Sequence, residues 1–459
     1  MDLQEKVNIQ GEKIKNGNPT IELIDSCRIN EGILQLSQDE AKELSHQFDE
    51  VVKGIDLTFF TPASGSGSRM FKALFEAKAS NGDQAELARK ILALPLLSLL
   101  SEAAVAQLEN GKCEIALDEI LGEQHLNLAQ KPKGLVPFHQ YADIVRIPFE
   151  EHIMQSEQIA GSNSSIHFTI NSAFEQEIIN AISTCSENRK VSFSEQDPAT
   201  NSVAFDQYLQ PAKNEDGDII TRPAGHGTLI HNLNMIESDL ILIRNIDNMQ
   251  HNDKAALSTL YRKALSRKLV QFVNEVYNVL SKIARDHAFE SSLKLLNDTY
   301  QLQLTDKQLS SPTAAFSALN RPVRICGMVK NEGEPGGGPF WVKSEDGTVS
   351  RQIIEKSQIS EEYNELVANA THFNPVELMC AVRDFKGDKF DLTEFVDERQ
   401  FFIVHKTQGN QNIQYIEQPG LWNGAMANWL TLFYEIPAEC FSPVKSVFDL
   451  LQPLHQPKD

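Results

Sequence analysis

Asp56-Leu57-Thr58-Phe59-Phe60 runs directly into Thr61-Pro62-Ala63-Ser64-Gly65-Ser66-Gly67-Ser68-Arg69-Met70, and the reading of this junction decides the fold. The first five residues read as a short buried strand. The Gly/Ser turn then hands the chain to a stretch with helical periodicity, residues 71 to 108. A strand, a glycine-rich turn and a helix present backbone N–H groups to phosphate. Gly65 and Gly67 let the backbone approach a triphosphate closely. Ser66 and Ser68 add hydroxyls, and Arg69 and Lys72 add charge. The spacing is neither a Walker loop nor G-x-G-x-x-G. Taken alone, the turn reads equally well as a flexible surface loop.

Outward from the junction, strands and helices alternate. After the turn Lys131-Pro132-Lys133-Gly134, a strand is expected over Ser165 to Ile170, a helix over Phe174 to Cys185 and a strand over Lys190 to Phe193. Asp239 to Arg244 is a continuous apolar strand, as inside a sheet covered on both faces. Lys254 to Leu296 is a long helical region. The alternation predicts an α/β fold with a doubly wound, mostly parallel sheet. Residues 1 to 55 are polar, end in a helix-like stretch from Asp39 to Lys53, and read as an N-terminal appendage. Residues 56–320 read as a nucleotide-binding α/β domain with a helical insertion at 73–130 and a helical segment at 254–310. Residues 321–459 return to shorter strands and to Gly/Pro-rich turns such as Glu332 to Pro339, as in a smaller C-terminal lobe.

Bulk composition narrows the function classes. The 459 residues exceed one ordinary core. Apolar residues make 41% and charged residues 23%, so a folded chain is expected over most of the length. The formal net charge of −21 repels nucleic acid and anionic membranes, and neither is expected as a partner. A phosphate site in such a chain must concentrate its few cations locally. The six cysteines, at 27, 113, 185, 326, 380 and 440, are scattered and form no C-x-x-C pair. They read as reduced, buried thiols of a cytoplasmic protein. The N-terminal residues show no secretory pattern. The longest apolar stretch, Ile91 to Leu100, is too short to span a bilayer.

Several short motifs then carry a family resemblance. Lys131-Pro132-Lys133-Gly134-Leu135-Val136-Pro137-Phe138 resembles the Lys-Pro-Lys-x-Leu-x-Pro signature of sugar-1-phosphate nucleotidyltransferases. In that superfamily it follows a loop of the form Gly-Gly-x-Gly-Thr-Arg-Leu/Met. Here Gly65, Gly67, Ser68, Arg69 and Met70 match, and Ser64 replaces the first glycine. The signature is normally compact, whereas residues 73 to 130 separate the halves here, an insertion that the surface tolerates at small closure entropy. Arg222-Pro223-Ala224-Gly225-His226-Gly227 and Asn245-Ile246-Asp247-Asn248 look like the Pro-Gly-His-Gly and Asn-Ile-Asp-Asn motifs of UDP-glucose-type pyrophosphorylases. Gln352 to Ile359 resembles the sugar-hydroxyl segment of UDP-sugar and UDP-N-acetylhexosamine pyrophosphorylases, with Glu355 at the glutamate position. Thr371-His372-Phe373-Asn374 resembles the next sugar-contacting turn, with Asn374 as the ligand. Phe441-Ser442-Pro443-Val444-Lys445 with Asp449-Leu450-Leu451 resembles a motif whose lysine contacts phosphate. Phe193 to Pro198 resembles the strand end that reads the base, through Gln196. The order of these matches along residues 57 to 451 is stronger support than any single one. They also fit a bacterial domain family of unassigned role grouped with these enzymes.

The resemblance implies a GT-A-like doubly wound mixed sheet and a pyrophosphorylase-like reaction. A sugar 1-phosphate attacks the α-phosphorus of a nucleoside triphosphate, and pyrophosphate leaves. Ser64 through Ser68, Lys72, Gln196, Gly225, His226 and Gly227 would bind the nucleotide. Arg69 and Lys72 would hold the leaving pyrophosphate, while Lys133 and Lys445 would stabilise charge at the reacting phosphates. Asp247 would hold Mg²⁺; Asp253 and Asp391 are candidates for a second ligand that neither the spacing nor the resemblance selects. Glu355 and Asn374 would orient the sugar. Without the resemblance, Asp247 reads as a strand-end turn residue and His226 as a satisfied histidine. Two alternatives stay open: a non-catalytic nucleotide or nucleotide-sugar binding protein, and a GT-A-type glycosyltransferase. The second fits less well, because Asn245-Ile246-Asp247 offers one carboxylate where those enzymes carry Asp-x-Asp.

Overall fold

A computed structural model describes residues 2–79, 84–142, 144–333, 336–408 and 411–458. The chain is mixed α/β and clusters into two compact units, each assembled from distant segments. One comprises Ser45–Glu195, Ile243–Lys263 and Pro437–Asp459; the other comprises Met1–Leu44, Gln196–Leu242 and Ala264–Ile436.

In the first of these, Leu57–Pro62 forms the strand expected before the glycine turn, with Leu57 through Thr61 all buried. Thr and Phe suit a pleated strand covered on both faces. It pairs in parallel with Ser165–Thr169, which pairs in parallel with Lys190–Ser194. The register aligns Phe60 with His167 and His167 with Ser192. The helix Glu175–Ser186 joins the last two strands, as a parallel crossover requires. The helix Pro148–Ala160 starts with Pro148, whose missing N–H is harmless there. Glu150 accepts the Ile147 amide hydrogen at 2.9 Å. The helix ends at Gly161, where φ is 73°.

The expected helical insertion is present as Lys72–Ala79, Gln84–Leu92, Glu102–Glu109 and Glu114–Leu121; residues 80–83 lie outside the described set. Its place differs from the expectation of a surface addition. Leu74, Ala88, Ile91, Leu108, Ala116 and Ile120 share one core with Met70, Phe71, Val136, Phe138, Val444, Val447 and Leu450. Each fully buried Leu or Ile contributes about 1.5–3 kcal/mol. Four short amphipathic helices cannot be stable separately, so the insertion and the segments it packs on stabilise each other. Ser101 caps the third helix by accepting the Ala104 amide hydrogen at 3.2 Å.

In the other unit, Val323–Lys330 is parallel to Leu430–Glu435 and antiparallel to Glu377–Ala381. Gly32–Leu34 adds in parallel beside Leu430–Glu435, and Leu23–Ser26 pairs with Gly338–Lys343. Residues of the N-terminal segment thus enter two sheets. Phe402–Gln408 and Gln411–Glu417 form an antiparallel hairpin. Glu334 and Pro335, in the expected Gly/Pro-rich turn, lie outside the described residues. The long helical region expected from residue 254 is broken into Ala256–Ala284 and Glu290–Tyr300.

Candidate functional site

The glycine turn and the Lys-Pro-Lys segment are bonded to each other, although the helical insertion separates them in sequence. The Gly67 amide donates to the Lys131 carbonyl at 2.8 Å, and the Lys133 amide donates to the Gly65 carbonyl at 3.1 Å. Ser66 and Pro132 form the bridge between these two bonds. A Cβ on Gly67 would lie 3.1 Å from the Leu128 carbonyl oxygen. The Gly67 carbonyl in turn accepts the Met70 amide hydrogen at 2.8 Å, and Met70 and Phe71 are fully buried. The turn is therefore braced from both sides. Gly65, Ser66, Ser68, Arg69 and Lys72 are exposed on it, and Ser64 is half-buried. The Ser66 and Ser68 hydroxyls lie 3.1 Å apart.

From this ladder the Lys133 side chain reaches Asp247. Its Nζ donates to Asp247 Oδ2 at 2.7 Å and to the Val444 carbonyl at 3.0 Å. The lysine side chain is 17% exposed and the carboxylate 22%, so the pair is screened from most solvent yet reachable. The Asp247 turn is fixed by several independent bonds. Ile246 N donates to the Pro62 carbonyl at 3.4 Å, and Val444 N to the Asp247 carbonyl at 3.0 Å. Ser442 N donates to Asn248 Oδ1 at 3.0 Å. His152 Nε2 donates to the Ile246 carbonyl at 3.2 Å. Burial, with Arg244 and Arg262 nearby, holds that imidazole neutral.

Lys445 follows Val444 and is exposed. Its backbone is locked, because Asp449 Oδ2 accepts from both the Lys445 amide at 2.8 Å and the Ser446 amide at 2.7 Å. Lys72 makes only a loose ion pair with Glu76, at 3.6 Å. Arg69 and Lys445 form no ion pair among the described residues. In a chain of net charge −21, these are two exposed cations that no ion pair neutralises among the described residues. Lys131 is committed elsewhere, with Nζ 2.6 Å from Glu177.

Among the described residues no three His, Cys, Asp or Glu side chains gather as a metal site. Asp247 is a lone carboxylate, with Oδ2 taken by Lys133. Magnesium commonly takes one or two carboxylates and completes its shell with substrate phosphates and water, so this donor set suits an ion that arrives with a triphosphate. The two candidate second ligands have local partners. Asp391 Oδ1 accepts from Asn234 Nδ2, Thr393 N and Thr393 Oγ1. Asp253 lies 3.6 Å from His251.

The remaining expected residues lie in the other compact unit. Gln196 Nε2 donates to the Gly225 carbonyl at 3.2 Å and to Thr228 Oγ1 at 2.7 Å. Its amide nitrogen therefore holds the glycine turn. Gly225 adopts φ 79°, and a Cβ on Gly227 would sit 2.2 Å from the Pro419 carbonyl oxygen. His226 stacks on Trp422 with centroids 4.3 Å apart. Its Nδ1 accepts the Leu421 amide hydrogen at 3.0 Å. Burial pushes the imidazole down to about 4, so it is neutral at pH 7. Glu355 lines a cavity of about 520 Å³ with Lys356, Ser357, His372, Phe340 and Phe373. Its Oε1 accepts from Asn423 Nδ2 at 3.1 Å. Asn374 is buried, and its side chain accepts the Val376 amide hydrogen at 3.1 Å. Asn374 thus shapes its own turn. Trp422 and Asn423 carried no sequence signal, whereas Val444 and Asp449 lie in the motif that pointed to Lys445, which did not show the bonds they make.

The chain belongs to the family described as a domain of unknown function, DUF4301, whose model matches residues 2–456. No curated protein sequence matches it. Among solved structures it is similar to the uridine diphosphate N-acetylglucosamine pyrophosphorylase of Trypanosoma brucei in complex with inhibitor. That likeness has 12% identity and a TM-score of 0.53, and covers 97% of this chain and 74% of the other. It is also similar to a UDP-glucose phosphorylase of the same organism, at 12% identity and TM-score 0.47, covering 97% and 74%. At such identity the first likeness shows the fold, a mixed α/β fold of the kind found in a sugar-nucleotide pyrophosphorylase.

Proposed function

We propose that this protein is a nucleotidyltransferase that couples a nucleoside triphosphate to a sugar 1-phosphate and releases pyrophosphate. The observation that carries the reading is Lys133 bonded at once to Asp247 and the Val444 carbonyl, on the same backbone ladder as the glycine turn. Direct in-line phosphoryl chemistry needs positioning and charge neutralisation more than a nucleophilic side chain. Exposed Arg69 and Lys72 suit the leaving pyrophosphate, with the amides and hydroxyls of residues 64–68. Lys133 and Lys445 suit charge at the α-phosphate and the incoming sugar phosphate. Asp247 is the residue to hold Mg²⁺, which would neutralise phosphate charge when bound. Gln196 with the Gly225–Gly227 turn is assigned to the base, and Glu355 to the sugar. Asn374 is likewise assigned to the sugar, on a turn that its side chain helps to shape by accepting the Val376 amide hydrogen. The fold similarity to a UDP-N-acetylglucosamine pyrophosphorylase is consistent with this assignment.

The test is pyrophosphate release by the full chain with Mg²⁺, across a panel of triphosphates and sugar 1-phosphates. Turnover with one pair, lost in Lys133→Ala and Lys445→Ala, supports the reading. Triphosphate binding without turnover in any pair would overturn it in favour of a nucleotide-binding protein.

A further inference from the structure

A serine, two histidines and a glutamate that no sequence motif connects lie end to end inside the unit that carries Lys133. Ser442 Oγ is 2.8 Å from His455 Nε2, and His455 Nδ1 is 3.0 Å from His139 Nε2. His139 Nδ1 is 2.9 Å from Glu151 Oε1. All four side chains are buried. Tyr141 closes the far end: its hydroxyl accepts the Asn252 amide hydrogen at 3.0 Å and donates to Glu151 Oε1 at 2.6 Å.

These contacts fix the direction of every proton in the form with Glu151 ionised and both rings neutral; a doubly protonated His139 would donate from Nε2 and reverse it. A carboxylate only accepts, so His139 Nδ1 carries hydrogen and its Nε2 is bare. That bare nitrogen must receive a proton from His455 Nδ1. His455 Nε2 is then bare and receives the Ser442 hydroxyl. The chain runs one way, from Ser442 through two neutral imidazoles to Glu151. Burial, with His139 and His251 alongside, pushes His455 down to about 3, in keeping with a neutral ring. Other charged or titratable groups nearby are Arg146, over the Tyr141 ring at 4.3 Å, and Asp253, beside His251.

Stability alone does not account for such a chain. Glu151 forms no ion pair with Lys or Arg among the described residues, and its Oε2 is buried without a partner there. Buried charges of this kind are often less stabilising than well-packed apolar residues. What the chain does supply is a directional anchor for one segment. Ser442 also bonds Asn248, Val444 bonds both Asp247 and Lys133, and Lys445 comes next.

We propose that Ser442, His455 and His139 are positioning residues, whose one-way hydrogen-bond chain, anchored on Glu151, holds the Ser442–Lys445 segment in the register that places the Val444 carbonyl on Lys133. The effect on turnover rests on the nucleotidyltransferase reading; the proton arrangement does not. The two are tested separately. The full chain labelled with ¹⁵N-histidine is examined by long-range ¹H–¹⁵N spectroscopy at pH 7, with rings assigned by His139→Asn and His455→Asn. The expected result is hydrogen on Nδ1 and a bare Nε2 in both rings. Ser442→Ala is expected to release His455 from that form, while Ser442→Thr keeps it. With substrates, Ser442→Ala is expected to lower kcat by about three- to tenfold, and Ser442→Thr to restore it. Hydrogen on Nε2 of either ring, or unchanged turnover in Ser442→Ala, overturns the proposal. If the wild-type chain turns over no substrate, the nucleotidyltransferase reading fails, and the ring spectra still decide the relay.

Discussion

The amide of Val447 donates to the carbonyl of Met70 at 3.0 Å. One residue before Met70 stands Arg69, and two before Val447 stands Lys445. A single backbone bond therefore ties together the two segments that carry exposed, uncompensated cations. Beneath it, Met70, Val444 and Val447 belong to the core that the inserted helices complete. Charge, backbone register and apolar packing thus meet at one place in the fold.

Lys133→Ala removes the donor shared by Asp247 and the Val444 carbonyl. Turnover should fall by about 10²–10³-fold, the usual effect of losing one preorganised donor at a reacting phosphate. Stability should fall by about 1–3 kcal/mol, because two partly buried acceptors lose their partner. Pyrophosphate release and urea denaturation measure the two effects. A variant with full activity would remove Lys133 from the mechanism.

Ile120→Ala opens a cavity far along the chain from Arg69 and Lys445, in the core that supports both. The expected destabilisation is about 2–5 kcal/mol. The stabilisation that a triphosphate gives, read as the rise in Tm with ligand concentration, should shrink as well. A normal ligand response in a folded Ile120→Ala would show that the insertion supports the fold without supporting the site.

Gly134→Ala places a Cβ 2.3 Å from the Phe149 ring. Either the ring or the Lys133–Leu135 turn must move, at a cost of about 1–3 kcal/mol. Since Lys133 begins that turn, kcat should fall together with Tm. Gly161→Ala serves as the comparison: it meets no neighbour but sits at φ 73°, so it should lower Tm without a matching loss of kcat.

Acid should destabilise the chain well before its ordinary carboxylates titrate. Burial pushes His226 and His167 down to about 4 and His455 to about 3, whereas unfolded histidine titrates near about 6.5. Between those values the unfolded chain binds more protons, so stability is full above pH ~6.5 and is lost progressively as the pH falls toward 4. Urea midpoints at pH 7.5, 6 and 5 should decrease in that order. A flat series would mean that these imidazoles are protonated without opposition.

Much of the fold could be read from the sequence because its signals are local. The strand Leu57–Pro62, the helix Glu175–Ser186 and the strand Lys190–Ser194 follow from apolar runs, helical spacing and punctuation by Gly and Pro. Lys133 and Asp247 were identifiable by resemblance, and the structure brings them to 2.7 Å. Other features rest on long-range contacts that composition does not encode. Leu74 and Val444 share a core across hundreds of intervening residues. Gln196 spends its nitrogen on Gly225 and Thr228. Asn374 accepts the Val376 amide hydrogen with its side chain, a local bond that the resemblance of its turn did not reveal. The histidine chain joins residues 139, 151, 442 and 455, a pattern visible only once the segments are folded together.

The helices between the glycine turn and Lys131 also limit how this chain can change. A shortened version with a compact spacing would keep every residue of both motifs. It would also expose Met70, Phe71, Val444 and Val447, which those helices now cover. The gap between the motifs is therefore a length the protein cannot shed without new apolar cover, and any shorter relative must seal that floor by other means.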